Sequence, residues 1–254
     1  MSVLICIPTY NEKETLPVAV ERTFNAVPDA HVLVIDDSSP DGTGELADDL
    51  AANDPRIHVL HRKEKNGLGR AYLEGFTWAA ERHYDYVVEM DADGSHRPQQ
   101  LPLLLERAYA SDAPDLVIGS RWTHGGEVVN WSKAREVLSR GGNLYIKLWL
   151  GLPAKDATAG YRVYRTDTLM KIDFDSVQSA GYFFQVDMTE KVHRLGGRIV
   201  EVPISFHERE AGESKMSGSI VSEALIRATK LGVAHRGEQL KSLVTTVRER
   251  LTKK

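Results

Sequence analysis

The chain has 254 residues, 42% of them hydrophobic and 27% charged, with a formal net charge of −4; this balance excludes disordered and collagen-like classes and fits a globular α/β domain. The single cysteine, Cys6, lies in the apolar run Val3–Ile7, which excludes an internal disulfide and a thiolate zinc cluster and fits a reducing cytosol. No uncharged apolar stretch reaches the ~18 to 20 residues that cross a bilayer, the N-terminus carries no signal-peptide pattern, and mild acidity argues against a nucleic-acid partner, so a membrane is expected to be met from the side.

In chain order, Val3–Ile7, His31–Ile35, Arg56–Leu60, Tyr86–Met90 and Leu116–Ile118 are short β-branched runs that predict buried strands. Helical spacing fills the gaps: Leu16, Val20, Phe24 and Val27; Leu46 and Leu50; Leu68, Tyr72, Phe76 and Ala79; then Leu101, Leu104, Leu105 and Ala108 after a helix-starting Pro98. Further on, the pattern predicts a long helix over Ser132 to Leu150, a strand at Tyr161 to Tyr164, a helix over Phe183 to Leu195 and a strand from Arg198 to Phe206. Alternating strand and helix implies an α/β fold with an open, mostly parallel sheet flanked by helices, whose ligands bind beyond the carboxyl ends of the strands. No repeat or linker interrupts it, so residues 1–235 read as one catalytic domain and 236–254 as a basic amphipathic tail.

The polar residues after each strand carry the chemistry. Val87 and Val88 run through Glu89 and Met90 into Asp91-Ala92-Asp93-Gly94-Ser95-His96. Alternation in an extended segment turns Asp91 and Asp93 to one side, where two hard carboxylates suit a Mg²⁺ or Mn²⁺ that grips a diphosphate, with Ser95 adding a hydroxyl or water-mediated ligand. A strand-ending turn and the aspartyl-nucleophile strand of haloacid dehalogenase-type phosphatases are the alternatives, although that strand usually opens its domain and here two strand units precede it. Ile5-Cys6-Ile7-Pro8-Thr9-Tyr10-Asn11-Glu12 ends a strand with an aromatic that can stack on a base, and with Asn11 and Glu12, which either bond the base edge or cap the next helix. Val32 to Thr43 ends another strand in acids, which read a base or ribose or form a turn at Gly42.

Taken in order, Pro8-Thr9-Tyr10-Asn11-Glu12, Asp36-Asp37-Ser38-Ser39-Pro40-Asp41-Gly42-Thr43, Asn66-Gly67-Leu68-Gly69 and Asp91 to Pro98 resemble the inverting family 2 glycosyltransferases, most of all their polyprenol (dolichol) phosphate mannose synthase subgroup. Gly119-Ser120-Arg121, Arg135, Ser139 to Asn143, Asp156 to Arg162, Gly181 to Gln185 and Glu201 to Phe206 extend the resemblance over about residues 1 to 232. It implies a GT-A type nucleotide-diphospho-sugar transferase fold, Mg²⁺ or Mn²⁺ on Asp91, Asp93 and Ser95, and transfer of mannose from GDP-mannose to polyprenyl phosphate with inversion. Glucosyl transfer from UDP-glucose and a non-catalytic nucleotide-binding scaffold are the alternatives. The implied catalytic set is Asp91, Asp93, Arg121 and Gln185; the implied substrate contacts are Pro8, Tyr10, Asn11, Glu12, Ile35, Asp37, Asp91, Ala92, Asp93, Arg121, Arg135, Arg209 and Lys215. A phosphate monoester, with a second pKa of about 6, is already largely ionised, so no strong general base is required and Gln185 is expected to orient the acceptor.

A lipid acceptor implies a peripheral enzyme on the cytoplasmic face of a membrane. Asn143 to Leu152, with Trp149, forms one apolar stretch, and Ile220, Val221, Ala224, Leu225, Ala228 and Leu231 form another beside Arg227 and Lys230; each either lies in the headgroup layer or packs in the core. In the tail, Leu240, Leu243, Val244, Val247 and Leu251 lie opposite Arg248, Arg250, Lys253 and Lys254, a pattern for anionic lipid, a membrane-anchored partner or the domain surface.

Overall fold

The apolar runs of the first half become parallel strands because every residue in them packs against something on both faces of a sheet. In the computed structural model, which describes residues 1–177, 181, 183–208 and 225–233, β1 (Val3–Thr9), β2 (His31–Asp36), β3 (Ile57–His61) and β4 (Tyr86–Glu89) alternate with α1 (Leu16–Ala26), α2 (Thr43–Asn53) and α3 (Leu68–Glu81). After α4 (Leu101–Ala108) come β5 (Leu116–Ser120), β6 (Glu127–Val129), α5 (Lys133–Leu150), β7 (Arg162–Arg165), α6 (Thr166–Leu169), α7 (Phe184–Arg194), β8 (Ile199–Pro203) and β9 (Ser205–His207). One sheet runs in the order β3-β2-β1-β4-β7-β5-β8, with β7 antiparallel to both neighbours, while β6 pairs with β9 in a separate ribbon. The expected mostly parallel sheet flanked by helices is therefore present.

Side-chain alternation divides the core in two. Val3, Ile5 and Ile7 face Leu16, Val20, Leu101 and Leu104, whereas Leu4, Cys6, Leu33 and Ile35 face Tyr72, Phe76, Phe184 and Met188. Gly75 lets α3 settle on the sheet: a Cβ there would lie 2.7 Å from Ile35 Cδ1 and 3.1 Å from Cys6 Sγ. Burial pushes the Cys6 thiol up, so it behaves as a small apolar filler rather than a nucleophile.

The structure departs from the expected elements where pairing crosses the sheet. The strand predicted from Arg198 to Phe206 splits at Ile204, whose N–H donates to Ser120 O at 3.1 Å and whose carbonyl accepts from Glu127 N at 3.0 Å. The chain thereby passes from the main sheet to the ribbon, whose other strand, β6, has no counterpart among the predicted elements. Asn11 is not a helix cap: α1 begins at Leu16 with Thr15 at the N-cap position, and Asn11 instead takes a left-handed conformation at φ 60°. The stretch Asn143 to Leu152 is divided, with Asn143, Ile146, Leu150 and Leu152 buried and Leu144 and Leu148 58% and 69% exposed. Residues 225–233 are helical and lie on α5, where Trp149 Nε1 donates to Thr229 O at 3.1 Å. Ile220, Val221, Ala224 and the tail 236–254 lie outside the described residues.

Candidate active site

β1 lies between β2 and β4, so the loops leaving their carboxyl ends open into a crevice where the strand order reverses. The acidic motif stands at this point, though not as an extended segment: β4 ends at Glu89, and Asp91 to Ser95 form a bend with Gly94 at φ 78°. Hydrogen bonds replace alternation as the ordering device. Ser95 N–H donates to Asp93 Oδ1 at 2.9 Å, Tyr72 OH donates to Asp91 Oδ1 at 3.4 Å, and Asp91 N–H donates to His96 Nδ1 at 3.1 Å. In this geometry Nδ1 is the acceptor, so the ring hydrogen sits on Nε2.

Asp91, Ala92, Asp93, Gly94, His96 and Pro98 meet residues of α1 and the turn before it, including Glu14, Thr15 and Arg22, around a cavity of about 100 Å³. Two carboxylates facing one small cavity fit a hard divalent ion that takes its remaining oxygens from water and a diphosphate. Among the described residues no cluster of three or more His, Cys, Asp or Glu side chains is assembled to hold a metal, consistent with that two-carboxylate arrangement. Ser95 departs from its expected role: it is buried, does not line the cavity, and serves through its amide to fix Asp93. A larger hollow of about 400 Å³ runs along α3 between Arg70, Glu74, Trp78 and Phe174, and none of the predicted site residues lines it.

The first two loops are tied together beside this cavity. Asn11 N–H donates to Ser39 Oγ at 3.1 Å and Glu12 N–H to Thr43 Oγ1 at 3.0 Å, while Glu12 Oε2 accepts from Thr15 Oγ1 at 2.7 Å. Asp36 is the inner brace of the second loop, accepting from Thr9 Oγ1 at 3.1 Å and Ser39 Oγ at 2.5 Å. Asp37 is held by Arg62, which also binds Asn66 and, at 3.0 Å, Glu74 Oε1. Burial raises the Asp37 pKa and the Arg62 guanidinium opposes that rise. Lys65 Nζ lies 3.5 Å from the centre of the Tyr10 ring. Pro8, the last residue but one of β1, lies opposite Ile35. Ile35 itself is a correction: its side chain is fully buried in the core against Gly75 rather than exposed for contact. Arg62, Ser39 and Thr43 were not singled out, since no local spacing announces a buried ion pair.

Beyond β5 the cations assemble around aromatic rings. Arg121 does not extend as an open phosphate ligand, because its N–H, Nε and Nη2 donate to Asp156 at 2.9, 2.8 and 2.6 Å. Its guanidinium lies 5.4 to 5.6 Å from the rings of Trp122, Trp131 and Phe206. Arg135 stacks 3.8 Å from Trp131 and pairs with Glu208 at 3.2 Å, and Arg140 stacks 4.2 Å from Trp122. Among the described residues, the buried indole N–H groups of Trp122 and Trp131 meet no hydrogen-bond partner. Neither tryptophan was expected. Arg209, Lys215 and Tyr182 lie outside the described residues.

Gln185, in the first turn of α7, is buried and donates from Nε2 to Glu89 Oε2 at 2.7 Å. Burial pushes the Glu89 carboxyl up to about 8, although Arg162 opposite it and hydrogen bonds from Gln185 and Tyr164 pull the other way. Glu89 was read merely as part of a strand.

The comparisons with known proteins bear on this geometry. A family model described as glycosyl transferase family 2 matches residues 4–173. The chain is 59% identical over 242 residues to an undecaprenyl-phosphate mannosyltransferase of Micrococcus luteus, covering 95% of this chain and 98% of that one. It is 51% identical to a polyprenol monophosphomannose synthase of Mycolicibacterium smegmatis, covering 95% and 91%. Among solved structures, a mannosyltransferase from Pyrobaculum calidifontis in complex with GDP-Man and Mn²⁺ superposes with a TM-score of 0.55 at 14% identity, covering 97% and 79%.

Proposed function

The chain belongs to glycosyl transferase family 2, and from that premise we propose that it transfers mannose from GDP-mannose to a polyprenyl phosphate, inverting the anomeric carbon. The observation that carries this reading is the pair Asp91 and Asp93 on one cavity at the β1/β4 reversal point, in a chain 59% identical to an undecaprenyl-phosphate mannosyltransferase and 51% identical to a polyprenol monophosphomannose synthase. Membership in this family sets aside the phosphatase alternative.

Asp91 and Asp93 would hold a Mg²⁺ or Mn²⁺, which when bound would supply positive charge to the departing nucleoside diphosphate. The protein's own residues do the rest. The tied loops bearing Tyr10, Asn11, Glu12 and Asp37 hold the nucleoside beside Pro8, and Ala92 gives the sugar diphosphate a close approach. Arg135 and the two indole N–H groups receive the acceptor phosphate beside the Arg121 guanidinium, which Asp156 holds in place, and Gln185 orients it. An ionised phosphate oxygen then forms the bond to C1 as the bond from C1 to the diphosphate breaks, with no proton to remove. Arg209 and Lys215 act on the diphosphate from the segment that follows β9.

The acceptor is a lipid, and among the described residues no helix is long and apolar enough to cross a membrane. The outer stripe of α5, Val137, Leu144 and Leu148, continues onto Ile226 and Val233 as an exposed apolar face. It rests on the cytoplasmic surface of the membrane, with the basic tail on anionic lipid or an anchored protein partner.

Purified protein given Mg²⁺, a polyprenyl phosphate and either radiolabelled GDP-mannose or UDP-glucose should place label in the lipid extract with the first donor. Label from UDP-glucose alone, or from neither donor, would overturn the proposal.

A further inference from the structure

Glu89 closes β4, has no solvent exposure, and stands two positions before Asp91. A carboxyl at such a place is costly unless it is paired and hydrogen-bonded. Its antiparallel register partner on β7 is Arg162, which is also fully buried. Arg162 supplies the opposite charge, yet its N–H groups are directed elsewhere: Nε to Ala159 O at 2.6 Å, Nη2 to Ala157 O at 2.7 Å, and Nη1 to Thr189 Oγ1 and Gln185 O, both at 2.9 Å, and to Tyr164 OH at 3.0 Å. The pair therefore grips one residue at two points. Arg162 holds the backbone carbonyl of Gln185, and Glu89 holds its side-chain nitrogen at 2.7 Å.

The grip also sets direction. Glu89 accepts one of the two hydrogens on Gln185 Nε2, so the second amide hydrogen is the donor left for a phosphate oxygen, a bond that Oε1, an acceptor, cannot make. Among the described residues, the buried Gln185 Oε1 meets no hydrogen-bond partner. Beside it, a Cβ on Gly160 would lie 3.8 Å from Gln185 Nε2 and 3.5 Å from His96 Cε1, so that glycine leaves the amide close to the ring that receives the Asp91 N–H.

We propose that Glu89 is a positioning residue for mannosyl transfer: together with Arg162 it clamps Gln185 so that its amide meets the acceptor phosphate in one fixed orientation. This rests on the reading that Gln185 orients the acceptor. A misaligned group near the reacting atoms costs on the order of 100-fold in turnover, and that is the fall expected for Glu89→Leu, with the KM for donor moving by less than about threefold.

The test compares Glu89→Leu, Glu89→Gln, Gln185→Leu and the double variant Glu89→Leu/Gln185→Leu, with thermal melting of each. Leu and Gln both remove the charge opposite Arg162, but Gln keeps an acceptor for Gln185 Nε2. Glu89→Gln should retain kcat within about threefold, and the double variant should fall no further than Gln185→Leu, the signature of two residues acting as one unit. If Glu89→Leu fails to fold, the comparison of Glu89→Gln with Gln185→Leu still decides, since Gln keeps the volume of Glu89 and a polar group facing Arg162. Additive losses, or a Glu89→Gln variant as slow as Gln185→Leu, would overturn the clamp alone. Unchanged turnover in Gln185→Leu would remove the underlying reading, and the clamp with it.

Discussion

On the β1, β2 and β4 side, ties between adjacent strand-end loops, such as Asn11 to Ser39 and Arg62 to Asp37, are joined by short turns that brace the crevice locally. Asp36 holds Ser39, Asp41 holds Thr43 at 2.6 Å, and Asp93 holds the amide of Ser95, all within three positions. On the β5 side, Arg121 reaches across 35 positions to Asp156, Arg135 across 73 to Glu208, and Tyr145 across 84 to Thr229. The contrast follows from what each side is assigned to hold. A nucleotide diphosphate is small and polar, and short Asx-type turns at strand ends suffice to aim groups at it. In the proposed function a lipid phosphate arrives from a surface, and the site proposed for it joins distant segments. Substitutions on the first side should change donor chemistry, and those on the second should change fold and acceptor use.

The largest effect tests the point where both sides meet. Asp91→Ala or Asp93→Ala should lower lipid-linked transfer by roughly 1000-fold at saturating Mg²⁺, because charge stabilisation of the leaving group is lost. Transfer by the wild-type enzyme that persists in EDTA would remove the metal from the account. Next, Asp156→Ala leaves the Arg121 guanidinium buried without its carboxylate, a loss of about 3 to 5 kcal/mol read by denaturant unfolding. Acceptor transfer should fall while GDP affinity changes little; equal loss of both would show that the two sides are not separable. Third, Arg62→Met removes the buried cation from Asp37. GDP binding should weaken by about tenfold by calorimetry with kcat nearly kept, the pattern of lost uniform binding; a fall in kcat with unchanged GDP affinity would break the assignment.

The same contrast explains what the sequence makes legible. β1 to β5 can be placed from residues alone, because a strand buried on both faces is a continuous apolar run whose end is marked by Asp, Gly or Pro. The acidic motif is visible for that reason, although the bend at Asp91 to Ser95 depends on hydrogen bonds that alternation does not capture. The antiparallel direction of β7, the break at Ile204 and the partnership of Glu89 with Gln185, 96 positions away, are set by cross-sheet pairing and leave no local mark. Ile35 shows the converse error: it belongs to β2, which is covered on both faces of the sheet, and its side chain packs into the core against Gly75. Trp122 and Trp131 look like ordinary aromatic residues until β5 and the start of α5 bring them to the same arginine.

The smallest expected effect sharpens the β5 side of the comparison. Leu144 and Leu148 are one turn apart on α5 and 58% and 69% exposed, so they contribute little to the core beneath. Leu144→Gln/Leu148→Gln should leave the melting temperature and transfer to a short water-soluble prenyl phosphate unchanged. Full burial of one leucine is worth about 1.5 to 3 kcal/mol, and a side chain entering the headgroup boundary gains a fraction of that. Vesicle partitioning should therefore fall by about tenfold for the pair. The neighbouring buried positions provide the control, since Ile146 and Leu150 contact Phe183 and Val186 within the same cluster. Ile146→Gln should lower stability, whereas the outer pair should not. Unchanged partitioning of the outer pair on anionic vesicles would move the membrane contact off α5 and onto other parts of the chain.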